Sequence, residues 1–266
     1  MQLIDSHCHL DFDYSPKTTA DLVREAGQAG VGTLITIATD LASLEKVALI
    51  SENHPQVFHT VGIHPHDTKT LDNEGMDLLR KAVIHPKCRA IGEIGLDYHY
   101  DHSPHDIQKT ALELQLNLAL ETHLPVVIHS RDAESDLLEA LTRYAKTAPA
   151  NLPLGVIHCF TGTRTFGEAC LALGFYISFS GILTFKNAAA LQASAKAFPL
   201  DRLMIETDSP FLAPIPFRGK KCEPSMVKLT AQKLAELKNL PLEEVAHATA
   251  ANTRRLFGLT VPQALV

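Results

Sequence analysis

The chain of 266 residues has no tryptophan and only 5 tyrosines, and its five cysteines (Cys8, Cys88, Cys159, Cys170 and Cys222) are an odd number with no C-x-x-C pair. That excludes a disulfide framework and a cysteine zinc knuckle, and reduced thiols are expected. Positive charge is in deficit: Lys plus Arg number 24 against 30 Asp plus Glu, for a net charge of -6. A protein that coats nucleic acid non-specifically needs a broad basic surface, so that class is disfavoured. No run of about 18 uncharged apolar residues is present, so no membrane span is expected. The opening residues Met-Gln-Leu-Ile-Asp-Ser-His show no basic segment followed by an apolar one. A secretory leader is therefore not expected, and the expected location is cytoplasmic. Neither G-x-G-x-x-G nor a Walker A loop occurs, and with them go the usual phosphate cradles of nucleotide-binding folds. There is also no low-complexity tract and no linker rich in Gly, Ser or Pro. With 45% hydrophobic residues, the chain is too apolar for intrinsic disorder. Against these shortages stands one excess, 14 histidines.

Short apolar, β-branched runs alternate with longer helical patterns. Strands are expected at 3–5, 33–38, 57–62, 90–94, 125–129, 154–158, 175–179 and 203–206. Helices are expected at 19–29, 40–53, 74–84, 104–123, 132–147, 164–173, 187–197 and 224–238, with one more at 242–257. In the segment 104–123, Ser103 suits the N-cap, Pro104 the first helical position and Asp106 the first turn. Ile107, Ala111, Leu114 and Leu118 recur at helical spacing and predict the buried stripe. Strands this uniformly apolar are covered by helices on the sheet's faces. Strand-then-helix eight times over predicts a parallel sheet with right-handed crossovers. Closed on itself, it is an α/β (β/α)8 TIM barrel, whose usual size is about 250 residues. The expectation is one domain over 1–266 with an extra C-terminal helix; a doubly wound open sheet is the rival. The Pro-rich stretch 210–216 reads as a long loop after strand eight.

Polar residues gather where these strands end. Strand one ends in Asp5-Ser6-His7-Cys8-His9, strand three in Gly62-Ile63-His64-Pro65-His66 and strand four in Gly92-Glu93-Ile94-Gly95-Leu96-Asp97. Strand five ends in Ile128-His129-Ser130-Arg131, strand six in Ile157-His158-Cys159 and strand eight in Glu206-Thr207-Asp208. Side chains alternate along a strand, so His7 and His9 face one way, about 6.6 Å apart at source, with Cys8 turned from them. Taken singly, each residue reads as a loop, cap or turn former. In a barrel, however, all these ends meet at one rim, which carries the active site. Four imidazoles and two carboxylates converging there suit divalent ions such as zinc or manganese. The set His7, His9, Glu93, His129, His158 and Asp208 is too large for one tetrahedral ion and suits two, with Glu93 bridging. Two such ions activate water and clamp both oxygens of a displacement. Asp208 could also accept the proton of the attacking water, which makes Asp208 and Glu93 the candidate catalytic pair. The ions could be Mg, Mn or Zn, since the same donors take each of them.

Cations lie in the loops between strands and helices: Arg131, Arg164, Lys186, Arg218, Lys220 and Lys221. Arginine reads phosphate in a bidentate way, and the cluster Arg218-Gly219-Lys220-Lys221 is the densest of them. Tyr98 could stack on a base or merely pack.

At these residues the sequence resembles the TatD family of metal-dependent hydrolases and DNases, in the amidohydrolase-like barrel superfamily. The matching segments are the strand ends quoted above, extended through Leu10-Asp11, Tyr98, Asp132-Ala133, Phe160-Thr161-Gly162 and Ser209-Pro210. Ala251-Asn252-Thr253 with Leu256-Phe257 resembles the family's C-terminal signature. The match covers essentially the whole chain, in order. The resemblance implies a TIM barrel and a divalent-metal site held by His7, His9, Glu93, His129, His158 and Asp208. It implies phosphodiester hydrolysis, often 3′-to-5′ exonuclease action on DNA, with single strands or 3′ ends as substrate. It places His64, Arg131 and Glu206 near the site, and Arg218 joins them as a substrate contact. One departure stands out. The family usually reads Arg-Gly-Lys-Arg-Asn-Glu-Pro after strand eight, and here Cys222 replaces the amide. The alternative function is a metal-dependent hydrolase of an amide or ester outside nucleic acids. A third reading is a metal or nucleic-acid binding module without turnover. No membrane and no obligate protein partner is expected.

Overall fold

The computed structural model describes residues 2–100 and 102–259. The expected span 1–266 runs beyond these at 1, 101 and 260–266. Among the described residues, eight strands form one sheet: β1 (Leu3–Cys8), β2 (Val31–Thr36), β3 (Val57–Val61), β4 (Cys88–Asp97), β5 (Val126–Arg131), β6 (Gly155–Ile157), β7 (Tyr176–Phe179) and β8 (Leu203–Ile205). Each pairs in parallel with the next. Between them run α1 (Thr19–Gln28), α2 (Ser43–Asn53), α3 (Asn73–Ala82), α4 (His105–Thr122), α5 (Glu134–Thr147), α6 (Arg164–Leu173) and α7 (Ala189–Ala197), followed by α8 (Val227–Lys238) and α9 (Leu242–Phe257). The sheet closes from β8 back to β1 through a bridge between Cys8 and Ser209. There the Asp208 amide donates to the His7 carbonyl at 2.9 Å, and the His9 amide to that of Ser209 at 2.8 Å. This is a (β/α)8 TIM barrel with an extra C-terminal helix, and the open-sheet rival is excluded.

Two apolar layers hold it. The outer one joins strand residues such as Leu34, Ile91, Ile128 and Ile177 to helix residues such as Leu22, Leu79, Leu137 and Leu234. The inner one takes Ile35, Ala90, Val127, Val156, Tyr176 and Met204 from six strands and packs them with Leu256 and Phe257 of α9. These inner residues fill the barrel, and α9 covers its lower mouth. Asn252 fixes that cover by donating to the carbonyls of Leu200 and Leu203 at 2.9 and 2.7 Å. Helix starts follow local capping: Thr18 and Asp21 form a capping box at α1, and Thr163 caps α6.

Helix α4 departs from the expected pattern. Its N-cap is Pro104, one residue later than expected, because Ser103 turns its hydroxyl onto the His66 carbonyl at 2.8 Å. Ile107 and Leu114 are exposed at 39% and 41%, so they do not belong to the buried stripe. Gln108 and Gln115 occupy it instead, fully buried, with Ala111, Leu112, Leu116 and Leu118. The reason is unpaired backbone at the strand ends. Gln115 accepts from the Ile63 amide at 2.7 Å and donates to the Ile63 carbonyl at 3.2 Å. Gln108 accepts from the Asp97 amide at 2.8 Å and donates to its carbonyl at 2.9 Å. Satisfying these groups outweighs the apolar gain of burying a leucine. The expected helix at 224–238 begins as a 3-10 turn over Pro224–Met226 before α8 takes over.

Candidate active site

The C-terminal strand ends open into a cavity of about 480 Å³. Five of the six expected ligands line it, the sixth, His7, is fully buried just behind them, and Glu93 is their hub. Its Oε2 lies 3.5 Å from His7 Nε2, while its Oε1 lies 2.6 Å from His158 Nε2, 3.0 Å from His129 Nδ1 and 3.5 Å from His64 Nε2. On the Oε2 side, Asp208 Oδ1 stands 3.6 Å from His7 Nε2 and 3.3 Å from His9 Nε2. The two halves of one carboxylate thus face two groups of donors. Strand geometry places them: His7 is the next-to-last residue of β1, Glu93 lies inside β4, and His129 faces Gly95 across the β4–β5 pair. A Cβ on Gly95 would collide with the His129 carbonyl oxygen, so glycine sets how close the two strands come. His7 stacks on His158 with centroids 3.9 Å apart.

Donor chemistry and unsatisfied atoms both fit divalent ions. His7 Nε2 and His9 Nε2 point at each other across 3.3 Å, although at most one of two neutral rings can donate there. His158 Nε2, buried and close to Glu93, makes no hydrogen bond, and neither does His7 Nδ1. Burial alone would raise the Glu93 carboxyl, but the charges of His158 and His64 and the bond from His129 hold it well below its usual range. Asp208 is also held low: burial opposes ionisation, and the bond from His9 with the charges of His7 and His158 outweighs it. Two ionised carboxylates amid imidazoles are a metal-binding donor set. Among the described residues, three overlapping groups have donor atoms within 4.8 Å of one another: His7, Glu93 and His158; His7, His9 and Asp208; and His64, Glu93 and His129.

Behind this ring stands a second set of acceptors. His158 Nδ1 lies 3.2 Å from Glu206 Oε1, which also accepts from the Cys159 amide at 2.7 Å. Glu206, expected among substrate contacts, is fully buried and does not line the cavity; it orients His158. Asp97 Oδ2 takes His129 Nε2 at 3.1 Å and His66 Nε2 at 2.9 Å, and its Oδ1 accepts from the His99 and Tyr100 amides. Asp5, also fully buried, takes the Thr207 amide at 2.9 Å and hydroxyl at 2.6 Å, which fixes the residue before Asp208. Burial raises the Asp5 carboxyl to about 8. Asp97, His66 and Asp5 carried no assigned role in the sequence. The alternation of β4 was the usable signal, because Glu93, Gly95 and Asp97 share one face.

The cations divide. Arg131 lines the cavity, its guanidinium 4.8 Å over the Tyr100 ring, and His64 lines it too. Arg218 is exposed outside it, 4.5 Å over Phe185. Lys221 donates to the Asp13 carbonyl at 2.6 Å, and Arg164 pairs with Glu168 at 2.7 Å. Tyr98 packs: its ring stacks on His105 at 3.8 Å and its hydroxyl donates to Asp136 at 2.7 Å. Cys222 is fully buried beneath the loop, its amide bonded to the Pro210 carbonyl at 2.9 Å. Its thiol touches the Thr207 carbonyl at 4.0 Å, so it packs behind the cavity rather than in it.

The family model described as TatD related DNase matches residues 4–258. The uncharacterized metal-dependent hydrolase YabD of Bacillus subtilis is 39% identical over 96% of this chain and 98% of its own length. The 3'-5' ssDNA/RNA exonuclease TatD of Citrobacter rodentium is 32% identical over 92% of this chain and 93% of its own. The crystal structure of YjjV, a TatD homologue from Escherichia coli K12, superposes with a TM-score of 0.89 at 32% identity, covering 97% of this chain and 98% of that one. With a model matched from β1 to the end of α9 and relatives matched along nearly their whole length, this chain belongs to the TatD related DNase family of metal-dependent hydrolases.

Proposed function

We propose that this protein hydrolyses phosphodiester bonds in DNA, removing nucleotides from single-stranded 3′ ends with two divalent ions at its rim. The observation that carries the two-ion reading is Glu93, whose two oxygens face separate donor groups. His7, His9 and Asp208 would hold one ion, His129 and His158 the other, and Glu93 both. Ions held there supply Lewis acidity and lower the pKa of water. The native ion is one of Mg, Mn or Zn. Asp208, ionised and partly open to the cavity, takes a proton from the attacking water. The water oxygen bonds to phosphorus, the P–O bond to the strand breaks, and the departing oxygen takes a proton from solvent. Arg131 and His64 sit on the cavity wall where they can bind the phosphate. Arg218, outside the cavity, would meet the strand only farther along. The name of the Citrobacter rodentium relative supports both nucleic-acid substrate and polarity. A net charge of -6 is no obstacle, because a cavity of this size engages a strand end rather than a long duplex surface.

The test is an end-labelled single-stranded DNA assay with Mg, Mn or Zn, with EDTA, and with Glu93→Ala. Shortening from the 3′ end that requires the metal and Glu93 is expected. Equal degradation by wild type and Glu93→Ala would sink the reading, and turnover of amides or esters with none on phosphodiesters would replace it. Metal analysis of the loaded protein should give about two ions per chain, since two-metal sites hold both at once.

A further inference from the structure

We propose that Phe12 and Phe211 form a stacking subsite for the unpaired base of the terminal nucleotide. This rests on the phosphodiester reading above and adds to it how the strand end is gripped. Phe12 and Phe211 are 39% and 48% exposed, yet they are neighbours, their rings 5.7 Å apart and edge-to-face at 81°. Such a pair facing solvent forgoes burial that aromatic rings ordinarily gain. Both rings line the cavity, where Leu212 and Ile182 extend the apolar wall.

Their backbone ties each ring to a residue of the ligand set. Phe12 follows His9 by three residues, and its amide donates back to the His9 carbonyl at 3.3 Å. Phe211 follows Asp208 by three, and its amide donates to the Asp208 carbonyl at 2.9 Å. The His9 ring lies 5.1 Å from Phe12 and 6.1 Å from Phe211. A planar group resting on this pair is thereby placed at a fixed offset from the ligand cluster. The remaining cavity wall carries Arg131 seated on Tyr100, so one boundary offers a cation and another flat apolar surface. A nucleotide has this division, with an anionic phosphate joined to a flat base. A phenylalanine ring has no polar atom with which to read a base edge, so the grip is by stacking and tolerates every base.

The experiment compares single-stranded oligonucleotides that carry a base at both termini with matched strands abasic at both termini, using the metal-loaded protein and mass spectrometry of the products. Wild type is expected to favour the base-bearing end about ten-fold in kcat/KM, the size of one aromatic stacking contact. The preference should vary little among the four terminal bases. Phe211→Leu, which keeps an apolar side chain without a ring, is expected to bring the ratio close to one, mainly through KM. Phe12→Leu should lower it in the same direction, and Phe211→Tyr should retain it. A wild-type ratio near one, or a ratio that Phe211→Leu leaves intact, overturns the subsite while the nuclease reading stands. Failure of wild type to cut either strand overturns both. Ring-dependent turnover of aryl or alkyl esters in its place assigns the pair to a different substrate and also overturns the proposal.

Discussion

Glu206 Oε1 lies 3.2 Å from His158 Nδ1, and that one contact decides where His158 Nε2 points: at Glu93, 2.6 Å away. The acceptor behind the ring fixes its tautomer and its aim. Glu206→Ala is expected to weaken metal binding by roughly 10- to 100-fold, as loss of such orienting groups does elsewhere. Glu206→Gln, which keeps an oxygen acceptor for Nδ1, should lose less. Metal titration of both variants checks this; wild-type affinity in Glu206→Ala would show that the ring is aimed by something else.

His129→Ala and His158→Ala should each lose bound metal and activity with the fold retained, because barrel stability resides in the packed layers below the rim. Circular dichroism and metal analysis read the two halves of this expectation. Unchanged metal content in both variants would contradict it. In the wild type, EDTA should lower Tm and added metal should restore it, since an ion bound only to the folded state stabilises by mass action.

Gln115→Leu should destabilise the metal-stripped protein although leucine is the more apolar residue. It would strip partners from the buried Ile63 amide and carbonyl. Each orphaned group costs about 1–3 kcal/mol. Urea unfolding measures the loss; stability equal to wild type would mean that the backbone there finds other partners.

Far from the rim, His59 predicts an acid sensitivity. Its ring is fully buried, with Ser51 Oγ 2.9 Å from Nδ1 and no partner at Nε2. Burial first, then the charges of His85, Lys87 and Arg89, lowers it from 6.5 to about 3. The folded state therefore keeps the ring neutral, while the unfolded chain takes up a proton below pH 6.5. The stability contributed is complete above that pH and is lost as pH falls toward about 3, at a limiting slope of about 1.4 kcal/mol per pH unit. Unfolding free energies measured between about pH 6.5 and 5 should fall more steeply for wild type than for His59→Gln; coincident slopes would remove the ring as the cause.

The barrel and the convergence of six candidate ligands were both legible along the chain. Eight apolar runs, each followed by a helical pattern, leave few arrangements other than a closed parallel sheet. The polar residues at the ends of those runs then meet because the strands run in parallel, and His7, His9, Glu93, His129, His158 and Asp208 meet as expected. Strand alternation would also have reached Asp97, two positions beyond Gly95 on the face of Glu93.

What stands behind those candidate ligands, and what stands in front, came from the folding of the whole chain. Periodicity assigned Ile107 and Leu114 to the core of α4, but Gln108 and Gln115 are there. Their partners are backbone groups at the ends of β3 and β4, outside the helix itself, whose need for a bond no helical pattern displays. Glu206 and Asp208 differ by two residues in sequence, yet one is sealed behind His158 and the other opens into the cavity, after the chain leaves β8 and Asp208 takes a positive φ of 57°. Phe12 and Phe211 are 199 residues apart and become a pair only because β1 and β8 close the barrel side by side. A local pattern reports which face a residue takes; which groups meet across that face depends on the closure of the whole sheet.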